Sequence, residues 1–373
     1  MLEGASSALV FGIQGYDKRS VSEPSGEDNV MGAKDGFIEV VRVNMSLLRR
    51  RMKTPQLKLE LFVKGTKSQT DLCLCYMADR VPKQLIREIK VRLDEMELES
   101  ILSSGYLQPF LENRRSCLFD TVGTTQRPDV LCAKLLEGRV GLLIEGTPFA
   151  LVIPKLFCES FQTMDDYCYR PAYATLVRWI KYAAFLVAIL LPALYVAIAL
   201  HHPELLNRTL LLILAEAEEN APISLTAEAI GVLLVYEIIR EAGLRLPKAV
   251  GGAVSIVAGL IIGDAAVSSG LISTPMLTVT AIAVIAGFVV PDLAQSITLL
   301  RLAFLLTAGV LGLFGISLLG AVVLFNLCAG ESFGFPITAP FAPLYRKGFR
   351  DTLTRVSFRK MQSGNFTVEE YYE

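Results

Sequence analysis

The stretch "YAAFLVAILLPALYVAIAL", residues 182–200, runs 19 positions without a charge, and nothing else limits the chain's options so strongly. At about 1.5 Å per residue a helix of this length crosses the ~30 Å hydrocarbon layer of a bilayer. Three further runs fit the same purpose: 249–268, 275–291 between two prolines, and 302–327, which is long enough to cross at a tilt. Pro192 is expected to kink the first run, because its ring removes a helical hydrogen bond. Only 20% of the 373 residues are charged and 52% are hydrophobic, an excess concentrated in the second half of the chain. The pattern predicts a mixed α/β domain that folds in water, followed by an all-helical polytopic membrane domain.

In the first half, a helical stripe runs from Gly36 to Met52 and ends in Arg49, Arg50 and Arg51, which suit the negative end of the helix dipole. Strands are expected over 58–64 and 71–77, joined by the turn-like "GTKSQT", and a helix follows over 82–96. "RPDVLCAKLLEG" reads as a helix with Pro128 in its first turn and Gly138 just past its end. "RVGLLIEGTPFALVIP" reads as two apolar strands around a turn, in a sheet covered by helices on one face. Boundaries follow: 1–30 a flexible lead or truncated subdomain, 31–172 the α/β domain, 173–345 the helical membrane domain, and 346–373 a basic tail.

Orientation comes from the basic residues. Arg170, Arg178 and Lys181 precede the first run, and Arg346, Lys347, Arg350, Arg355, Arg359 and Lys360 follow the last. Both ends should face the cytoplasm, which requires an even number of crossings and favours four. Residues 224–239, "SLTAEAIGVLLVYEII", carry Glu228 and Glu237 and are expected to form an amphipathic or re-entrant helix. Arg240, Arg245 and Lys248 just beyond them prefer the inside and argue for a fifth crossing.

Composition excludes several functions. A net charge of −1 gives no reason to expect nucleic acid as a partner, with "LLRRRMK" the one basic run in the first half. Seven cysteines without CxxC spacing and two adjacent histidines, His201 and His202, support neither a metal site nor a disulfide framework, and no cofactor is implied. Cys73 and Cys75 share one strand face and should be buried thiols. No P-loop, GxGxxG or nucleophile elbow occurs, so enzymatic chemistry is not expected.

Candidate functional residues are the charges placed in apolar surroundings. Asp264, in "LIIGDAAV", would contact a pore or partner, or reach the membrane surface near the end of its run. Gly259 and Gly263 form a GxxxG that permits close helix packing. Glu228, Glu237, Arg240 and Glu241 lie on one helix, with Arg240 placed to pair with Glu237; in a ring of subunits they could line a cation path, or they could form intrahelical pairs at the membrane surface. Arg301, just before the last run, is expected to be an anchor on the inner side.

Several ordered stretches together resemble a known family: "DGFIEVVRVNMSLLRRRM", "RPDVLCAKLLEGRVGLLIEGTPFALVIPKLF", "DDYCYRPAYATLVRWIKYAAF", "REAGLRLPKAVGGAVSIVAGLIIGDAAV" and "ESFGFPITAPFAPL". The chain resembles the A subunits of bacterial spore germinant receptors, including the related stage V sporulation protein AF, over about 30–345. The resemblance implies a subunit in the inner membrane of the spore that acts with a permease-like B subunit and a lipoprotein C subunit. It also implies a homo-oligomeric ring conducting ions in response to nutrients. The alternatives are an accessory stage V type channel that amplifies ion release, or a non-conducting scaffold for the permease-like subunit. Two departures stand out. Family members usually carry another subdomain ahead of the first helix, so a shortened paralogue or a missing upstream part is expected; and "NAPISL" replaces a Pro-Phe-Pro stretch.

Overall fold

The computed structural model describes residues 19–24, 26–27, 29–112, 117–219, 222–246, 259, 261, 263–345, 348–361 and 368. Positions 1–18 of the expected lead and 249–258 of the second apolar run lie outside the described residues. The chain divides into two compact units. Among described residues the first holds 19–111, 122–153 and 368, and the second 112, 117–121 and 154–361.

In the first unit, α1 (Val41–Arg51), α2 (Lys83–Asp94), α3 (Gln108–Leu111) and α4 (Pro128–Leu136) accompany five strands. These are β1 (Leu57–Lys64), β2 (Thr70–Met77), β3 (Gly123–Thr125), β4 (Val140–Ile144) and β5 (Ala150–Ile153). They form one antiparallel sheet in the order β1-β2-β4-β5-β3. Cys73 and Cys75 do share a buried face, packed with Val41, Leu48, Leu131 and Leu135 of α1 and α4. Burial pushes the Cys132 thiol beside them up to about 11. Gly141 of β4 is the point of closest approach: a Cβ there would lie 2.7 Å from Leu131 Cδ1 of α4. Every residue of β4 and β5 is buried, so the centre of the sheet is covered on both faces rather than the one expected.

The first helix starts five residues later than its stripe suggests. Asn44, itself buried, accepts from Ile38 N–H at 2.9 Å and donates to Ile38 O at 2.6 Å, while Phe37 N–H donates to Gln126 O at 2.7 Å. Those bonds hold 37–38 extended. The Glu145 carboxylate then accepts from Val41 N–H at 2.7 Å, placing a negative charge at the positive end of α1. The basic run at the other end is occupied locally, since Asp35 pairs with both Arg50 and Arg51.

The second unit is helical: α5 (Asp165–Cys168), α6 (Pro171–His201), α7 (Arg208–Glu219), α8 (Leu225–Arg245), α9 (Thr274–Phe288), α10 (Ala294–Ala329), α11 (Phe349–Thr352) and α12 (Phe358–Met361). Residues 263–268 are also helical. Among described residues, two segments are long and apolar enough to cross a membrane, Pro171–His201 and Pro291–Ala329; Thr274–Phe288 is apolar but shorter.

The second of these segments is not one straight span. Thirty residues of helix would part Ser296 from Asn326 by about 45 Å, yet both bond to the backbone of Leu118. Ser296 Oγ donates to Leu118 O at 2.8 Å, and Leu118 N–H donates to Asn326 Oδ1 at 3.0 Å. The chain reverses at Gly312, whose φ of 60° and ψ of −143° are non-helical, and a Cβ at Gly315 would overlap Thr307 O on the opposing arm. The sequence expectation of a single tilted span over 302–327 is thereby corrected to a hairpin of two arms. The cause is local: Gly309, Gly312 and Gly315 supply the backbone freedom and the closeness that a reversal needs.

α8 runs along this bundle rather than flat across its end. Thr226 Cγ2 lies 2.5 Å from where a Cβ of Gly309 would sit, near the hairpin's tip, and Glu237 and Arg240 reach Thr298 near its base. α8 therefore packs lengthwise, antiparallel to the first arm of α10.

The hairpin predicts a labelling pattern. A membrane-impermeant maleimide should reach Gln295→Cys and the native exposed Cys328 from the same face of the membrane, each tested as the sole accessible cysteine. Labelling from opposite faces would restore the single span.

Candidate functional site

Two interruptions of helical hydrogen bonding lie inside the helical unit, and each is repaired from the other helix. Pro192 has no N–H, so the carbonyl of Ala188, four residues earlier, loses its helical donor. Arg301 replaces it, donating from Nε to Ala188 O at 2.9 Å. Arg301 is 4% exposed, so the expectation of an anchor at the inner surface is corrected: the side chain turns inward because a buried carbonyl in an apolar bundle costs several kcal/mol when unpaired. Gly287 of α9 makes room, since a Cβ there would stand 3.2 Å from Arg301 Nη2.

The second interruption is the reversal at Gly312, which takes the N–H of Leu313 out of helical register with Gly309 O. His201, the last residue of α6, bonds Gly309 O through Nε2 at 3.0 Å. Its ring sits against Gly312 so closely that a Cβ would come 3.0 Å from Cγ. The Ala188 carbonyl of α6 is thus served by α10, and the Gly309 carbonyl of α10 by α6.

Around Arg301 the sequence-selected charges separate into distinct environments. Glu237 and Arg240 pair at 2.6 Å, and Glu237 Oε1 accepts from Thr298 Oγ1 of α10 at 3.1 Å. Glu241 pairs with Arg245 at 2.7 Å on the exposed face. Glu228 lies apart and buried, with Oε1 accepting from the Ser273 N–H at 2.6 Å and from its hydroxyl at 2.7 Å. It therefore caps the N-terminus of α9, where a carboxylate suits the helix dipole. Its second oxygen is buried without a partner. Asp264 is exposed on the helical residues 263–268. A Cβ at Gly259 would meet nothing within 4 Å, and one at Gly263 only Leu277 Cδ2 at 3.8 Å, so neither glycine makes a tight approach to another described helix.

A second cluster ties the start of α6 to the end of the unit. Arg178, fully buried, donates from Nε to Asp166 Oδ2 at 3.0 Å and from Nη1 to Asp351 Oδ1 at 3.0 Å. Lys181 reaches Asp166 at 3.4 Å and Thr163 Oγ1 at 3.0 Å, and Tyr167 donates to Asp351 at 2.8 Å. Arg178 and Lys181, read from sequence as marking the cytoplasmic end of the first run, are buried in ion pairs. Among described residues no group of three or more His, Cys, Asp or Glu could hold a metal ion.

Sequence reasoning missed Ser273, Thr298, His201 and the Arg301–Ala188 bond. Pro192 carried a usable signal, since proline in an apolar helix demands an outside donor for the residue four before it. His201 carried none, because its partner carbonyl is freed only by a reversal at Gly312.

If Arg301 serves the freed carbonyl, Arg301→Leu should destabilise the full chain in detergent by about 1–2 kcal/mol, and Pro192→Ala should shrink that penalty by returning an N–H to position 192. Thermal unfolding of the two single variants and the double variant measures this; an equal penalty in both backgrounds would show that Arg301 serves another purpose.

Comparison with known proteins came out consistently. The family model described as Bacillus/Clostridium GerA spore germination protein matches residues 1–365. The chain is similar to spore germination protein KA of Bacillus subtilis, with 38% identity over 357 residues, covering 95% of this chain and 65% of that protein. It is also similar to the uncharacterized membrane protein YfkQ of Bacillus subtilis, with 37% identity over 361 residues, 96% of this chain and 70% of that one. The crystal structure of the N-terminal domain of the A subunit of the Bacillus megaterium spore germinant receptor GerK3 aligns at 38% identity. That alignment covers 33% of this chain and 97% of the other, with a TM-score of 0.27. The chain thus spans about two thirds of the length of the first of these relatives.

Proposed function

The chain belongs to the GerA spore germination protein family, and on that premise we propose that it is a membrane subunit of a spore germinant receptor that forms an ion-conducting oligomer. In this reading the helical unit crosses the inner membrane of the spore, with the start of α6 and the basic tail on the cytoplasmic side. A permease-like B subunit and a lipoprotein C subunit complete the receptor, and nutrient binding elsewhere opens the path.

One observation carries the reading. The helical unit contains a broken helix and polar groups held at depth: Arg301 on Ala188 O and the Glu237–Arg240–Thr298 set. Charges inside an apolar bundle each cost at least ~2.5 kcal/mol on insertion scales, and interrupted helices lining a cavity are a recurrent way of building an ion route. A scaffold would need neither. In a ring, the exposed carboxylates Asp264 and Glu241, the latter paired with Arg245, could face a shared axis, whereas Glu228 is committed to α9.

Reconstitution of the full chain with its co-expressed partner subunits in liposomes tests this. Cation flux should follow addition of germinant, and Asp264→Lys with Glu241→Lys should reduce it severalfold. If no condition yields flux, or charge reversal leaves both flux and spore ion release unchanged, the subunit is a scaffold.

A further inference from the structure

We infer that a groove at the cytoplasmic end of α6 binds an anionic phospholipid, with the phosphate directed toward Arg355 and an acyl chain along Leu176 and Trp179. The inference rests on the membrane reading above but not on ion conduction.

The groove has a volume of about 470 Å³ and is lined by Pro171, Ala172, Thr175, Leu176, Trp179 and Arg355. Its wall is apolar save for the guanidinium of Arg355 and the Thr175 hydroxyl, which is already bonded to Pro171 O and the Arg355 N–H. Leu176 and Trp179 are 54% and 56% exposed, and Trp179 is fixed in place by donating from Nε1 to Leu353 O at 3.0 Å. Three residues after Trp179 the uncharged run 182–200 begins, so the groove opens onto the surface that faces hydrocarbon. Exposed Tyr173 and Trp179 at this level match the preference of amphipathic rings for the headgroup region.

Charge selects the ligand. Arg355 is 4% exposed and is built into the groove wall. Its backbone N–H donates to Thr175 Oγ1 at 3.0 Å, Nη1 donates to Val356 O at 3.0 Å and Nη2 to Tyr167 O at 3.2 Å. Its guanidinium lies 4.4 Å from the Phe358 ring. Nε has no partner. Behind it Arg178 and Lys181 pair with Asp166 and Asp351, two positive charges to two negative, while the Arg355 guanidinium donates only to backbone carbonyls and pairs with neither carboxylate. Arg170, Arg350, Arg359 and Lys360, adjacent in sequence to these residues, are exposed. A buried guanidinium with an unused donor, an uncompensated positive charge and an apolar trough leading toward hydrocarbon fit a molecule that is anionic at one end and aliphatic at the other. A free anion would leave the trough bare, and a zwitterionic lipid would bring its own cation.

Retention of phosphatidylglycerol against phosphatidylcholine by the detergent-purified full chain, read by native mass spectrometry, tests the site. The wild-type chain should retain phosphatidylglycerol preferentially. Arg355→Gln should lower that retention about fivefold, the loss of one cation at an anionic headgroup, and Arg355→Lys should keep part of it. Ala172→Trp fills the groove without touching the ion cluster, so it should lower retention even where Arg355→Gln fails to fold. Equal retention by wild type and Ala172→Trp overturns the site. So does displacement of the lipid by millimolar inorganic phosphate, which would mark a free-anion site. Carbonate extraction separates the two readings: a chain released from membranes overturns both, whereas a carbonate-resistant chain that holds the two lipids equally overturns the lipid site alone.

Discussion

An apolar helix has nowhere to send a carbonyl that its own turn no longer satisfies, and that constraint organises the helical unit. In water, Pro192 or a reversal at Gly312 would be tolerated because solvent supplies a donor; inside a bundle packed with Phe185, Leu300 and Phe304 it cannot. Arg301 and His201 supply the missing donors, each from the partner helix. The two bonds fix α6 and the first arm of α10 in parallel register at two depths, and α8 and α9 pack against that pair. Removing either donor exposes a backbone defect as well as breaking a side-chain contact, which is why single substitutions here should act on the whole bundle.

The same economy governs the end of the unit where α6 begins. Arg178, Lys181 and Asp166 are too buried to be accounted for as surface pairs, which are worth little. Removing one partner would strand a charge in a dry setting, a loss of several kcal/mol. Because Asp351 and Arg355 belong to the C-terminal segment, Asp166 to α5 and Arg178 to α6, these contacts fasten segments nearly two hundred residues apart in sequence. The cluster itself balances, two charges against two, and the neighbouring Arg355 is left without a carboxylate partner.

Much of the α/β unit was legible because its signals are local. The strands of "LELFVKG" and "DLCLCYM", the hairpin around "EGTP", and the helix opened by Pro128 and closed by Gly138 rest on period and turn chemistry, and they form within a residue or two of the expected bounds. The start of α1 failed because Asn44, inside the stripe that suggested the helix, and Gln126, far from it in sequence, claim the backbone of 37–38. In the helical unit, length and hydropathy found the apolar runs but not their path. A 26-residue apolar run looks the same to a hydropathy window whether it is straight or folded, and the spaced glycines 309, 312 and 315 were the only mark of the reversal. Of the selected charges, the Glu237–Arg240 pair follows from helical spacing alone. The role of Glu228 could not be read from the sequence, because Ser273 lies 45 residues away and meets it only once α9 is in place.

The hairpin also bears on a conflict within the charge pattern. Counting 182–200, 249–268, 275–291 and 302–327 as single spans gives an even number and puts both basic ends inside, but only by keeping α8 out of the membrane and leaving Arg240 and Arg245 on the wrong side. If α8 crosses, the count becomes odd and the six basic residues of the tail are misplaced instead. α8 does pack lengthwise, from Thr226 beside Gly309 to Arg240 beside Thr298, and under the proposed membrane placement α8 and the fold at Gly312 would each add a crossing. Six is again even. In that proposal the basic residues before α6, after α8 and after α10 would all lie on one side, as the positive-inside rule asks.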